Sequence, residues 1–124
     1  MKTTSQVKMN WQIKIDMLIA VLITSAQTIT YDELARQAEI PAPHRIHQLT
    51  NYLEALIADD AQNNQPIRAA VVISKIRHLP APGFFDAVRL YHDSRHHLDD
   101  LALYKQLLVA LNPAYNSALF LNQE

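Results

Sequence analysis

Arg45, Gln48 and Asn51 carry donor and acceptor patterns that match the edges of guanine and adenine. They fall close together, with His47 among them and His44 directly before. A second group is cationic. Arg68, Lys75 and Arg77, followed by His78, run without an intervening acid and could neutralise two or three phosphates, in a strongly salt-dependent way. A third group is His92, His96 and His97, where the four-residue spacing lets two imidazoles share a metal on one helix face. No glutamate stands between them as in an HExxH helix, and Ser94-Arg95 reads as a break. Exposed histidines in a polar connection are the better reading, and no metal is expected. Nucleophilic chemistry has even less to work with. The chain has no cysteine, Ser74, Ser94 and Ser117 lack a Gly-x-Ser-x-Gly setting, and a single glycine cannot make a phosphate-cradling loop. The sequence therefore predicts a non-catalytic protein without a cofactor.

The elements that must position the first group are legible. Thr30 is a good N-cap and Glu33, three residues on, completes a capping box, so a helix is predicted from Tyr31 with Leu34, Ala35 and Ala38 on one face. Ile40-Pro41-Ala42-Pro43 stops it, because proline disfavours the α region for the residue before it. Pro43 suits the first turn of the next helix. There Ile46, Leu49, Leu53, Leu56 and Ile57 form an inward stripe, leaving His44, Arg45, His47, Gln48, Thr50 and Asn51 outward. Residues 30–58 thus read as a helix-turn-helix. Polar residues early in the second helix of such a pair are where bases are touched. The bland reading is that any amphipathic helix has a polar face, and the two readings weigh about evenly. Tyr31 could stack on a base, but an aromatic at a helix start is more often a half-buried staple, which is the favoured expectation.

A buried helix is predicted over about residues 10–27, with Trp11, Ile15, Leu18, Ile19 and Leu22 inward and strand as the alternative for its β-branched part. Residues 1–8 are polar and expected to fray. Asp59 to Pro66 reads as a polar loop, and Ile67 to Ile73 as a strand leading into a basic turn. Residues 66–83 would then be the strand and wing. Phe84 to Tyr91 reads as a short helix with Phe84, Val88 and Tyr91 inward. Ser94 or Asp99 could cap a last helix to Leu111 with Leu98, Leu101, Tyr104, Leu108 and Leu111 as its stripe, ended by Asn112-Pro113. The tail Tyr115 to Leu121 is too apolar to be solvated. Residues 94–124 are the C-terminal helix and tail.

Thr30-Tyr31-Asp32-Glu33-Leu34-Ala35 followed by Ala42-Pro43-His44-Arg45-Ile46 resembles the DNA-binding domain of the O6-alkylguanine-DNA alkyltransferases and alkyltransferase-like proteins. That family has a Ser/Thr-Tyr-x-x-Leu-Ala helix start, an arginine early in the recognition helix, and then a Pro-Cys-His-Arg-Val active-site strand. The resemblance covers roughly residues 27–72. It implies that Tyr31 and Arg45 would inherit the tyrosine that helps rotate a nucleotide and the arginine that fills the space left in the duplex. At the active-site strand the chain reads Pro66-Ile67-Arg68-Ala69-Ala70-Val71, with Ile67 in the cysteine place and the His-Arg pair missing. Alkyl transfer needs a thiolate, so the resemblance implies the winged-helix scaffold without the reaction.

At 124 residues and 49% apolar, the chain is long enough for one domain with a real core. Its net charge of −1 argues against a chain-wide grip on nucleic acid. The fold class expected is mainly α with a small β wing, a winged helix-turn-helix with extra C-terminal helices. The expected partner is duplex DNA, contacted by Tyr31, His44, Arg45, His47, Gln48, Asn51, Arg68, Lys75 and Arg77. A protein-interaction module on the same scaffold, an adaptor or inhibitor of a nucleic-acid-processing complex, is the alternative. A homodimer through the first helix or the last helix and tail is a further expectation. The apolar run Met17–Ile23 is too short to span a bilayer, so a cytoplasmic protein is expected.

Overall fold

The computed structural model describes residues 8–91 and 97–117. The chain is mainly helical. Helix α1 (Asn10–Thr24) is followed by the two-residue strand β1 (Ile29–Thr30), which runs directly into α2 (Tyr31–Gln37). The long α3 (Arg45–Gln62) leads to a 3-10 turn (Arg68–Val71) and strand β2 (Val72–Ile73), then α4 (Pro82–Tyr91) and α5 (Asp100–Leu111). Expectations for residues 1–7, for His92 and His96, for a cap at Ser94 and for the tail beyond Ser117 fall outside the described residues.

Helix α1 settles as a helix because its apolar positions recur at helical spacing, and Trp11, Ile15 and Ile19 are buried. The strand alternative does not hold. In α2, the Thr30 hydroxyl accepts the Glu33 N–H at 3.2 Å, so half of the predicted capping box forms. The Glu33 carboxylate does not reach back. It turns to Arg36 and to Gln37, whose amide donates to it at 2.7 Å.

The stretch predicted as a strand over residues 67–73 is corrected. Its first part is the 3-10 turn, and Ala69, Ala70 and Val71 are buried at the centre of the molecule, where α1, α3 and α5 all pack on it. Two small alanines let three helices approach one backbone segment. Only Val72 and Ile73 are extended, pairing in parallel with β1 in the register Ile29 to Val72 and Thr30 to Ile73. Parallel strands need a long crossover, and here α2 and α3 supply it. An antiparallel hairpin is therefore absent at this point among the described residues.

Further corrections concern faces and ends. Helix α3 begins at Arg45, with His44 as a left-handed N-cap (φ 61°), and runs on through Asp59 and Asp60, which the sequence pattern assigns to a loop. Ile46 is exposed rather than inward. In α4, Phe84, Phe85 and Val88 are buried while Tyr91 faces out. In α5, Asp99 caps as expected, accepting the Ala102 N–H at 2.8 Å. Its buried stripe is Leu103, Tyr104, Leu107 and Leu108, and Leu101 is exposed. The buried face is thus centred on these four residues, toward the 3-10 turn, and not on the Leu101–Leu111 stripe. No described helix is long and apolar enough to cross a membrane.

Candidate nucleic-acid interface

The linker Ala38–His44 turns the chain between α2 and α3 and holds the residues singled out above. Gln48 reaches back into it, donating to the Pro41 carbonyl at 2.7 Å and the Pro43 carbonyl at 3.0 Å. Both are carbonyls that proline-rich backbone leaves unpaired, so Gln48 builds the turn rather than facing outward as predicted. Arg45 also helps: its Nε donates to the Ile40 carbonyl at 2.9 Å, which leaves the two terminal nitrogens of its fork open. His44, Arg45, His47 and Asn51 are exposed, and the Asn51 amide lies 3.3 Å from the His47 ring nitrogen Nε2. Thr50 is turned inward to the helix, donating to the Ile46 carbonyl at 2.8 Å.

Electrostatically this end of α3 is mixed. Asp32, Arg36 and Glu39 share an open groove with His44, Arg45 and His47. Glu39 is engaged by Lys14, and that ion pair holds its carboxyl below the usual range. Among the described residues Arg45 enters no ion pair.

Tyr31 is the expected staple. Its side chain is half-buried and its hydroxyl accepts the Ala81 N–H at 2.9 Å, across fifty positions of sequence. Burial pushes its pKa up. Beside it lies an apolar cavity of about 160 Å³, lined among others by Ile46, Thr50 and Glu54 of α3 and by Ala81, Gly83 and Phe84 at the start of α4. Sequence spacing could not have found this cavity, because its walls come from four separated segments. The lone Gly83 sits on its wall, and an added Cβ there would meet nothing.

The basic group divides. Arg68 is corrected: it is not a solvent-facing cation. Its backbone N–H and guanidinium donate to the buried Asp60 carboxylate at 2.9–3.0 Å, with Asp59 at 3.6 Å. The Asp60 carboxylate holds the Arg68 pKa above its ordinary value. Lys75, Ile76, Arg77 and His78 are exposed on a closed loop. The Ser74 N–H donates to the Leu79 carbonyl at 2.7 Å and the His78 N–H to the Ser74 carbonyl at 2.8 Å. Arg77 also lies 3.7 Å from Asp100 of α5. Lys75 enters no ion pair among the described residues. Ile76, at 90% exposure, is the surface feature that the pattern of charges does not reveal. The described residues hold no cluster of histidine and acid able to bind a metal.

Fold and site together define a mainly helical domain with a proline-turned helix pair and a short parallel sheet. Compared with known proteins, the chain matches no family model, no curated protein and no solved structure.

Proposed function

We propose that the chain is a small, non-catalytic DNA-binding module of the winged-helix kind, acting as a regulator or accessory factor. The observation that carries the reading is the open N-terminal turn of α3, where Arg45, His47 and Asn51 are solvent-facing side chains able to contact bases or phosphates. The loop Ser74–Leu79 takes the wing's part, with Lys75, Arg77 and His78 toward the backbone. Ile46 and Thr50 of α3 border the cavity beside Tyr31, and Ala81, two residues past the loop, borders it from the other side.

The alkyltransferase-like resemblance enters as a scaffold reading. Ile67, in the cysteine place, is buried and apolar, which favours binding without transfer. Titration of a fluorescent mixed-sequence duplex across a salt series tests the proposal. Affinity should fall steeply with salt and weaken in both Arg45→Ala and Lys75→Ala/Arg77→Ala. Absence of binding at low salt would refute it. The protein-adaptor reading is favoured by the acids Asp32 and Glu39 in the groove beside Arg45. A stable heterologous complex that survives the Arg45→Ala change would carry that reading instead.

A further inference from the structure

The cavity beside Tyr31 is apolar because its hydroxyls are already engaged. The Tyr31 hydroxyl accepts the Ala81 N–H at 2.9 Å, and the Thr50 hydroxyl donates to the Ile46 carbonyl at 2.8 Å. Ile46, Leu53, Ile57, Ala69 and Phe84 supply hydrocarbon walls. Glu54 is the exception on this lining. It is exposed, and among the described residues its carboxylate enters no ion pair.

Two residues set this place apart from ordinary packing, which leaves few voids larger than a water molecule. Gly83 is the only glycine in the chain, and it lines the cavity. Its φ is not positive, so the backbone does not require glycine, and a Cβ built there meets nothing within 4 Å. Within α4 any ordinary residue would favour the helix more than glycine does. Space is what the glycine provides. Ile46 is the second. It continues the apolar spacing of Leu49 and Leu53 yet is 43% exposed, and it too lines the cavity. The apolar surface that the spacing would bury is open here to a ligand.

Size and walls select the ligand. A dry cavity of about 150 Å³ lined by leucine, isoleucine and phenylalanine takes up benzene, and this one measures about 160 Å³. Tyr31 and Phe84 add two aromatic rings to the lining, against which a bound ring can pack edge to face. We propose that the cavity is a binding site for a small one-ring aromatic amine, its ring among Leu53, Ile57 and Phe84 and its ammonium at the Glu54 carboxylate. A ligand carboxylate would meet Glu54 as a like charge and is disfavoured. The site uses none of Arg45, Lys75 and Arg77, so it stands whether or not the chain binds a duplex.

Benzylamine, toluene and benzoate serve as probes, titrated into the full chain and followed by thermal unfolding and by methyl NMR. A ligand that binds only the folded state raises Tm with its concentration. Benzylamine and toluene should both do so, with benzylamine binding several-fold tighter than toluene and benzoate weakest. Saturable shifts are expected at the methyls of Ile46, Leu53, Ile57 and Ala69. Gly83→Leu, which fills the cavity, should abolish the rise in Tm, and Glu54→Gln should remove the advantage of benzylamine over toluene. If Gly83→Leu does not fold, the methyl shifts of the parent chain decide alone. Absence of saturable shifts at those methyls overturns the proposal, as does binding that persists in a folded Gly83→Leu variant. Benzoate binding as tightly as benzylamine, or an unchanged preference in Glu54→Gln, overturns the assignment of an amine.

Discussion

The two ends of α3 carry the same kind of residue to opposite effect. At the C-terminal end Asp60 is buried, and its carboxylate is filled by the backbone and guanidinium of Arg68, which ties the helix to the 3-10 turn at the centre of the core. At the N-terminal end Arg45 makes one hydrogen bond to the Ile40 carbonyl and offers the rest of its fork to solvent. Read as charges in a sequence, Arg45 and Arg68 are equivalent candidates for a phosphate. What separates them is whether a carboxylate has already claimed the guanidinium. A cation that completes a buried pair is part of the fold, and one that no buried carboxylate holds is available to a ligand.

The largest effect that could break this comparison is on stability. Arg68→Ala leaves the Asp60 carboxylate buried without its cation, and loss of one partner of such a pair costs about 3 kcal/mol or more. Thermal unfolding should show a drop of many degrees, whereas Arg45→Ala should stay within about 0.5 kcal/mol of the parent. If the two variants unfold alike, the distinction between the ends of α3 is wrong. The converse holds for binding. Arg45→Ala is expected to weaken DNA affinity by about 1–3 kcal/mol, measured by anisotropy at fixed salt. A conservative Arg68→Lys that remains folded should leave affinity near the parent value.

The middle of α3 offers a pH-dependent test. The Tyr52 hydroxyl donates to Asp16 at 2.7 Å and accepts from Lys8 at 2.7 Å, and burial pushes its pKa from 10.0 to about 12. Burial likewise raises Tyr115 to about 12 and Tyr104 further still. A phenol whose folded pKa is raised binds its proton more tightly in the fold than in the unfolded chain. Its contribution is therefore complete below pH 10 and is lost as pH climbs from 10 toward 12. Denaturant midpoints should be flat from about pH 7 to 9 and fall steeply above about 10. Tyr104→Phe should make that fall shallower, and an unchanged slope would count against burial as the cause.

The proline-turned helix pair is legible because it is local: a cap at Thr30, prolines at 41 and 43, and the Leu49, Leu53, Leu56 and Ile57 stripe all act within a few residues. The 3-10 turn is not. Ile67–Ile73 is β-branched and short, so its local preference is a strand, and three helices closing on Ala69 and Ala70 override it. The fate of Arg68 is hidden for a related reason, since Asp60 reads as part of a loop that the helix in fact absorbs. The face of α5 is misread because leucines surround most of that helix, so the spacing alone does not choose between the 101–108 stripe and the observed face at Leu103, Tyr104, Leu107 and Leu108. The contact of Tyr31 with Ala81 depends on the parallel pairing of β1 and β2, which no short motif announces.

Helix ends show the same limit at smaller energy. Helices α1, α2 and α3 each close with paired reverse hydrogen bonds, such as Gln27 N–H to the Leu22 carbonyl at 2.9 Å and Ala26 N–H to the Ile23 carbonyl at 3.2 Å. Each closure needs one residue in the left-handed region, and the chain places Ala26 (φ 54°), Glu39 (φ 59°) and Asn64 (φ 56°) there instead of glycine. That conformation costs an L-residue with a Cβ about 1 kcal/mol or more, and asparagine less than alanine because its short polar side chain tolerates it. Ala26→Gly should therefore stabilise the domain by about 0.5–1 kcal/mol, a rise of a few degrees in Tm, even after the extra entropy glycine loses on folding. Asn64→Gly should change little. A gain at position 64 equal to that at position 26 would mean that the left-handed φ is not what limits the end of α1, and that the absence of glycine from these closures costs the fold nothing.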